Sequence, residues 1–247
     1  MAQENGLRYP CFGSNTRIAG FIKLSLIYLS YTKRLIKLLL FSLSVLTIFL
    51  YYQNTMKNKQ KEFDSIKKKY QILQKNKYFK TATFAGGCFW GVESALQEKE
   101  GVIEAFNGYS GGKISNPTYE QVSSGETKHK EAVQVFYNPK IIDYKDILNN
   151  FWYYIDPTDK GGQFTDRGSQ YQTAIFYHNQ KQKEIAEKSK KELENSGRFN
   201  KPVVTQILPY KNFYLAEEYH QDYYQKQTQQ YKNYYQGSGR KEYVEKQ

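Results

Sequence analysis

The sequence predicts a domain of the α+β or α/β class, a sheet with helices packed on it, behind a long apolar segment near the N-terminus. Strand-like segments rich in aromatic and β-branched residues alternate with helix-like segments over residues 77–209. Apolar residues make up 39% of the chain and aromatic residues 17%, a composition that suits a packed core and not a disordered chain. The 247 residues suffice for one good-sized domain with appendages, or for two small domains.

The predicted elements follow one another from a glycine-rich start to a polar C-terminal part. Strands are predicted at 77–87, 101–112, 131–139, 170–178 and 201–209, and helices at 88–99, 143–155 and 181–197. A proline closes the third strand and a glycine ends the third helix. Residues 156–169 are predicted to be a polar loop and residues 237–247 a disordered tail, so the domain is expected to run over residues 78–236.

Residues 1–34 are interpreted as a basic arm and residues 35–52 as a hydrophobic anchor or leader. Leu38–Tyr52 carries no charge, but its fifteen residues fall short of the ~20 that a spanning helix needs. Starting at Leu35 extends the segment to eighteen, with Lys37 reaching for the interface. An anchor that stays in the membrane, a cleaved signal peptide and an organelle-targeting leader all remain open. We favour the uncleaved anchor because no small-x-small cleavage site follows; a buried core helix would have nothing to pack against.

Positive charge is concentrated in the N-terminal third of the chain. Residues 1–80 hold 15 Lys/Arg against 3 Asp/Glu, whereas residues 81–247 hold 21 of each, so the net charge of +12 lies in the first part. This distribution favours a basic, membrane-flanking arm attached to a neutral domain, and it argues against nucleic-acid binding. Basic residues flank the apolar segment on both sides, so the orientation in a membrane stays open.

Residues 53–77 are rich in Lys and Gln and carry a thin apolar stripe at helical spacing. Ile66, Tyr70 and Leu73 follow one another at intervals of four and three residues. The pattern predicts a helical stalk between anchor and domain, which we interpret as a solvated spacer rather than a partner-binding coil.

The chain has two cysteines, Cys11 and Cys88, and neither a disulfide framework nor a zinc site is indicated. Cys88 lies in the segment Gly86–Gly91 between a predicted strand and a predicted helix. At a helix N-terminus the free N–H groups favour an anion, so we expect a lowered thiol pKa and a nucleophilic thiolate. Taken alone, a lone cysteine is more often a small buried hydrophobe, and neighbouring Phe89 and Trp90 are more often core residues.

The segment GGCFWGVE around Cys88 resembles the signature of the peptide methionine sulfoxide reductases of the A class. Four further segments resemble that family's motifs in the same order: NGYSGG at 107–112, YEQV with the following GxTxHxEAV at 119–133, DRGSQY at 166–171 and AEEYHQDY at 216–223. The likeness extends from about Tyr78 to about Tyr224. It implies a ferredoxin-like two-layer α/β plait, with residues 78–236 as the catalytic domain.

The resemblance also implies a reaction, the reduction of S-epimer methionine sulfoxide in peptides and proteins, in which Cys88 attacks the sulfur and becomes a sulfenic acid. Glu131, a carboxyl whose pKa burial would raise, protonates the oxygen. The other implied site residues are Tyr109 and Tyr171 on the sulfoxide oxygen, Phe89 and Trp90 around the methyl group, and Asp166 orienting the substrate. No metal or organic cofactor is expected. His129 and His220 are expected to be structural, and Glu93 a helix-face group.

The sequence departs from the family pattern in having no cysteine after Cys88, so it resembles a single-cysteine subtype. We therefore expect an external thiol, thioredoxin or glutathione with glutaredoxin, to reduce the sulfenic acid. If the apolar segment spans a membrane, Cys11 lies across the bilayer from Cys88. A lone sulfenic acid favours a domain facing a reducing compartment, with an organellar or secretory location as the alternative if the leader is removed. A monomer is expected.

Two other functions remain open from the residues. One is a thioltransferase or thiol hydrolase that uses Cys88, although neither a CxxC partner nor a clear Cys–His–Asn set is evident. The other is a membrane-tethered protein that binds methionine sulfoxide without turnover. An intact Glu131 argues against a pure binding protein, because binding needs no acid.

Overall fold

The computed structural model describes the backbone of residues 15–247 and the side chains from residue 21 onwards. The chain divides into a first unit that ends at Lys59 and a second unit, Gln60–Gln247. Cys11 and the start of the expected basic arm lie outside the described residues.

The first helix, α1, spans Asn15–Lys75. It is the one described helix that is long and apolar enough to cross a membrane, with a mean hydropathy of 2.0 over an 18-residue window. None of that window is buried within the chain, and large side chains such as Phe41 are mostly exposed. A soluble core helix would instead bury such a stretch.

The second unit adds eight strands and seven further α-helices after α1 among the described residues. In chain order they are β1 Lys80–Ala85, α2 Phe89–Gln97, β2 Val102–Ser110, α3 Tyr119–Ser123, β3 Lys130–Tyr137, α4 Tyr144–Tyr154, β4 Gly162–Gln163, β5 Asp166–Arg167, β6 Ala174–Tyr177, α5 Gln180–Asn195, β7 Gln206–Pro209, β8 Tyr214–Leu215, α6 Tyr223–Lys226, α7 Thr228–Gly237 and α8 Arg240–Glu245. Single 3-10 turns lie at Ser169–Tyr171 and Glu218–His220.

Six strands form one sheet in the order β7-β6-β1-β3-β2-β8, and β4 and β5 form a separate hairpin. The four inner strands β6, β1, β3 and β2 pair antiparallel, and β7 joins β6 in parallel. Together with α2 and α4 they follow the order βαββαβ, which is the ferredoxin-like plait. The α+β fold class is therefore confirmed. The short α3 and the edge strand β8 have no counterpart among the predicted elements.

The main core lies between the sheet and helices α2 and α4. Fully buried side chains there include Phe84 of β1, Leu96 of α2 and Phe151 of α4. The Phe84 and Phe151 rings stack with their centroids 4.8 Å apart. Helix α4 begins where the Asp143 side chain accepts from the Asp146 amide at 2.9 Å, which satisfies one of the free N–H groups of its first turn. This layer fixes the position of α2, and hence of its N-terminus.

The predicted spacer is wrong for the C-terminal part of α1, which belongs to the second unit. Tyr70 and Leu73 are buried against Phe106 and Phe136 on the face of the sheet opposite α2. The Tyr70 hydroxyl also donates to Gln134 at 2.6 Å. The thin stripe is narrow because one turn of contacts, centred on Tyr70, is enough to cover these two phenylalanines. The second unit therefore includes residues 60–77 in addition to the segment expected from residue 78 onwards.

The predicted disordered tail at residues 237–247 is also wrong, because it forms the helix α8. Arg240 is fully buried and Val244 is 8% exposed. The Tyr153 hydroxyl donates to the Val244 carbonyl at 3.0 Å. The polar composition of the tail indicated exposure, but the guanidinium of Arg240 is buried because it donates to main-chain carbonyls that are distant in sequence.

Candidate active site

Cys88 is the N-cap residue of α2, directly after the glycine pair that follows β1. Gly87 has φ +84°, a conformation that side chains rarely adopt, and a Cβ there would lie 2.5 Å from the Gln163 side chain. A Cβ at Gly86 would lie 2.8 Å from Val92. The two glycines therefore let the chain turn tightly against the core and place the sulfur at the start of the helix, as the sequence predicts. Cys88 is 7% exposed.

The expectation of a lowered pKa for the Cys88 thiol is wrong. Burial raises the pKa of Cys88 well above its usual value, and the carboxylates of Glu131 and Asp166 raise it further. Hydrogen bonds from the Tyr234 hydroxyl and the Trp90 amide act in the opposite direction but are smaller. The helix N-terminus is thus outweighed by desolvation, and the resting sulfur is a neutral thiol.

Glu131 lies near the start of β3 and is buried, with only 2% of its surface exposed. Its Oε2 accepts from the Phe89 amide at 3.1 Å, which ties the carboxyl to the residue after Cys88. Burial raises the pKa of Glu131 to about 8. The hydrogen bond from the Phe89 amide lowers this pKa, and the charge of Asp166 raises it. The carboxyl is therefore mostly protonated at neutral pH and can donate a proton beside the thiol.

Phe89 and Trp90 form an aromatic wall beside Cys88. The Phe89 ring is buried, and the half-buried Trp90 indole stacks on Tyr223 with centroids 3.8 Å apart. The indole N–H donates to His220 Nδ1 at 3.2 Å, and the His220 ring lies 5.0 Å from that of Phe89. The ring centroid of Tyr119 lies 4.5 Å from that of His220. An apolar group of a substrate can lie against this wall.

Tyr109 pairs with Glu131 in the register of β2 and β3, and its ring lies 6.1 Å from Phe89. Its hydroxyl donates to Glu217 Oε2 at 2.8 Å, while the other Glu217 oxygen accepts from the Tyr119 amide at 2.9 Å. Burial and the Glu217 charge raise the Tyr109 pKa. In the described state the Tyr109 proton is therefore engaged, and a substrate oxygen would have to compete with Glu217 for it.

Tyr171 and Asp166 come from the loop after α4. Burial raises the pKa of Tyr171, and the charges of Glu131, Cys88 and Asp166 raise it too. Asp166 Oδ2 accepts from the Tyr234 hydroxyl of α7 at 2.5 Å. The structure thus brings all seven sequence-predicted site residues together around the start of α2.

The residues set aside as structural divide into two kinds. His129 lies between main-chain groups, since its Nδ1 accepts from Gly112 at 3.1 Å and its Nε2 contacts the Ile114 carbonyl at 2.8 Å. His220 instead belongs to the aromatic wall, and burial lowers its pKa to about 4, so it is neutral. Glu93 is buried on α2, where it accepts from the Asp222 amide at 3.0 Å and burial raises its pKa.

Several residues that lie around the site were not predicted from the sequence to be part of it. Tyr119, Glu217 and His220 lie inside the motif segments, so their position there was an available signal. Tyr234 and Arg240 come from the polar C-terminal part, where no spacing or composition marked them. Their role depends on contacts with Asp166 and with the turn before Cys88.

Several known proteins are similar to this chain in sequence and in fold. The family model for peptide methionine sulfoxide reductase matches residues 80–247. The peptide methionine sulfoxide reductase MsrA of Bacillus licheniformis is 52% identical over 164 residues, which cover 66% of this chain and 91% of that protein. The crystal structure of Mxr1 from Saccharomyces cerevisiae in reduced form is similar with a TM-score of 0.58 and 34% identity, over 62% of this chain and 87% of that one. Methionine sulfoxide reductase A of Corynebacterium diphtheriae gives a TM-score of 0.56 at 31% identity, over 62% and 77% of the two chains. The chain belongs to the peptide methionine sulfoxide reductase A family.

Proposed function

We propose that this chain reduces the S-epimer of methionine sulfoxide in proteins and peptides to methionine, and so repairs oxidised proteins. One observation carries the proposal: Cys88 begins α2 next to the buried Glu131, whose pKa burial raises to about 8. A sulfoxide sulfur accepts a nucleophile only when its oxygen gains a proton, so the reaction needs a thiol and an acid at one place.

Cys88 supplies the sulfur nucleophile and Glu131 the proton. As the Cys88 sulfur bonds to the sulfoxide sulfur, Glu131 gives its proton to the sulfoxide oxygen and the thiol proton returns to the carboxylate. The hydroxyl oxygen then passes to the Cys88 sulfur as the sulfur–oxygen bond of the substrate and the new sulfur–sulfur bond both break, and the electron pair of the sulfur–sulfur bond stays on the methionine sulfur. The products are methionine and a Cys88 sulfenic acid, with no net change in protons; methionine sulfur is reduced and the cysteine is oxidised.

The surrounding side chains bind the substrate. Phe89 and Trp90 hold the S-methyl group against their aromatic wall. Tyr171 donates a hydrogen bond to the sulfoxide oxygen, and Tyr109 does so after it leaves Glu217. Asp166, held by Tyr234, orients the substrate.

An external dithiol or thiol completes the cycle, because no cysteine follows Cys88 in the sequence. The first thiol attacks the sulfenic acid sulfur and releases water, and a second thiol releases the Cys88 thiol and forms the reductant's disulfide. Thioredoxin, or glutathione with glutaredoxin, has the required chemistry. No metal or organic cofactor takes part.

We propose that residues 35–52 anchor the protein in a membrane as a single span, behind the basic arm of residues 1–34. The length and exposure of α1 support this, although a cleaved leader passes the same test. A lone sulfenic acid needs a thiol pool, which favours a catalytic unit that faces a reducing compartment. An organellar or secretory location after leader removal is the alternative, and the protein is taken to act as a monomer.

The test uses the full chain in detergent with dithiothreitol and separate S- and R-epimer peptides. We expect conversion of the S-epimer alone, and loss of that conversion in Cys88→Ser. A folded chain that converts neither epimer would overturn the proposal and leave a binding protein. Equal conversion of both epimers would refute the stereochemical part.

A further inference from the structure

Arg240 is a fully buried cation at the start of α8. Its Nη1 donates to the Tyr154 carbonyl and its Nη2 to the Gly86 carbonyl, each at 2.8 Å. The guanidinium also lies over the Phe164 ring, 4.8 Å from its centroid. Burial of an arginine is costly, and here the Nε makes no hydrogen bond to the described residues. A guanidinium that stays buried on two carbonyls despite this cost indicates a specific role.

The position of Arg240 against Cys88 suggests what that role is. A Cβ at Gly87 would lie 2.8 Å from Arg240 Nη2, and a Cβ at Gly91 would lie 3.0 Å from Nε. The guanidinium therefore fills the space behind the backbone on both sides of Cys88. Its contact with the Gly86 carbonyl holds the end of β1 where the chain turns into α2.

The same C-terminal segment holds the opposite side of the site. Tyr234 of α7 donates to Asp166 Oδ2 at 2.5 Å. Between them, Ser238 caps the turn into α8 by accepting from the Arg240 amide at 3.3 Å. One segment thus reaches both the backbone behind Cys88 and the carboxylate beside it.

We infer that Arg240 is a positioning residue, which fixes the Gly86–Gly87 turn and so holds the Cys88 sulfur against Glu131 for the reaction. The inference rests on the proposed function for the reaction itself. Because the Phe89 amide joins Glu131 directly after this turn, a displaced turn moves sulfur and acid apart. Misplacement of about 1 Å can cost on the order of 10²-fold in rate.

The test compares Arg240→Met and Arg240→Lys in the full chain in detergent, in a Cys11→Ser background so that Cys88 is the only thiol. Turnover of an S-epimer peptide with dithiothreitol gives kcat and KM, and iodoacetamide gives the alkylation rate of Cys88. For Arg240→Met we expect kcat to fall about 10- to 100-fold with KM within about threefold. Lys can still reach one carbonyl, so it should restore part of kcat.

Two matched controls separate positioning from simple loss of stability. Lys241→Met makes the same charge change one residue later, on the exposed side of α8, and should behave as the parent chain. Val244→Ala removes part of a buried side chain from the same helix and leaves the hydrogen bonds of Arg240 in place. We expect it to lower the Tm while kcat stays within about threefold.

Two results would overturn the inference: a folded Arg240→Met chain with the parent kcat, or Val244→Ala losing as much kcat as Arg240→Met for an equal fall in Tm. If Arg240→Met does not fold, Arg240→Lys decides, and a kcat equal to the parent's refutes the role. If the parent chain reduces no sulfoxide, the proposed function fails separately. In that case the alkylation rate of Cys88 still tests the role of Arg240. Arg240→Met should change this rate if Arg240 positions the turn, and should leave it unchanged if Arg240 has no such role.

Discussion

Replacement of Glu131 by Gln should change the two reactions of Cys88 in opposite directions. Gln keeps the size of the side chain, and its amide oxygen can still accept from the Phe89 amide. It cannot give a proton to the sulfoxide oxygen, so reduction should slow. It also carries no negative charge, and the Glu131 charge is one cause of the raised Cys88 pKa. At alkaline pH the thiol should therefore ionise more readily in the variant.

The magnitudes follow from the buried carboxyl. A rise in pKa from 4.5 to about 8 corresponds to roughly 5 kcal/mol against the charged form. About nine-tenths of Glu131 is then protonated at neutral pH. General acid catalysis contributes roughly 10²- to 10⁴-fold, which is the expected loss in kcat/KM. Alkylation should be unchanged near pH 6, where Glu131 is neutral, and faster than in the parent near pH 9, where it is charged.

The assay measures single-turnover reduction of an S-epimer peptide by rapid quench and, in parallel, iodoacetamide alkylation of Cys88 between about pH 6 and pH 9. Glu93→Gln is the control, since it neutralises another buried carboxyl with a raised pKa that bonds to Asp222 instead. The control should keep the parent reduction rate. If Glu131→Gln slowed both reactions together, Glu131 would be a base for the thiol or a structural residue, and the acid role would be refuted.

Three further predictions concern stability and the second thiol. Tyr70→Ala should destabilise the chain by about 3–5 kcal/mol in chemical unfolding, because it opens a cavity and leaves Gln134 without its 2.6 Å partner; no change would refute the packing of α1 on the sheet. Burial raises the pKa of Glu93 in the folded chain, so Glu93 contributes to the stability of the folded state fully below its pKa in the unfolded chain, and this contribution is lost as pH rises through its pKa in the folded chain. In Glu93→Gln the Tm should therefore fall less with rising pH than in the parent chain. Parallel plots of Tm against pH for the two chains would contradict this prediction. Cys11→Ser should leave dithiothreitol-driven turnover unchanged, whereas an intramolecular Cys11–Cys88 disulfide in non-reducing mass spectrometry would contradict the external reductant.

Local patterns in the sequence were enough to predict the strands of the inner sheet and the position of Cys88 at the start of α2. The strand ending in Gly86 and Gly87, followed by a helix-like segment, predicts the N-cap geometry because glycine is the residue that permits φ +84° there. The depth of the site could not be predicted in this way. The pKa of Cys88 is raised first by burial and then by the charges of Glu131 and Asp166, two residues that are distant from it in the chain.

Both ends of the catalytic unit show the same limit. The apolar stripe around Tyr70 is too narrow to distinguish a solvated helix from a helix that packs by a single turn. Its partners Phe106 and Phe136 can equally be interpreted from the sequence as core residues of their own strands. Arg240 lies in a polar tail whose composition indicates exposure. Only the tertiary contact with the Gly86 carbonyl reveals that it is buried.

A single turnover without any reductant tests the assignment of Cys88 as the nucleophile most directly. The full chain, in a Cys11→Ser background, is mixed with excess S-epimer peptide, and both methionine and the mass of the Cys88 peptide are measured. We predict one methionine formed per chain and a Cys88 peptide heavier by one oxygen atom; in a parallel sample with dimedone, this sulfenic acid should be converted to the dimedone thioether with release of water. Methionine formed without oxidation of Cys88, or an oxygen atom found on another residue, would contradict the assignment of Cys88 as the nucleophile.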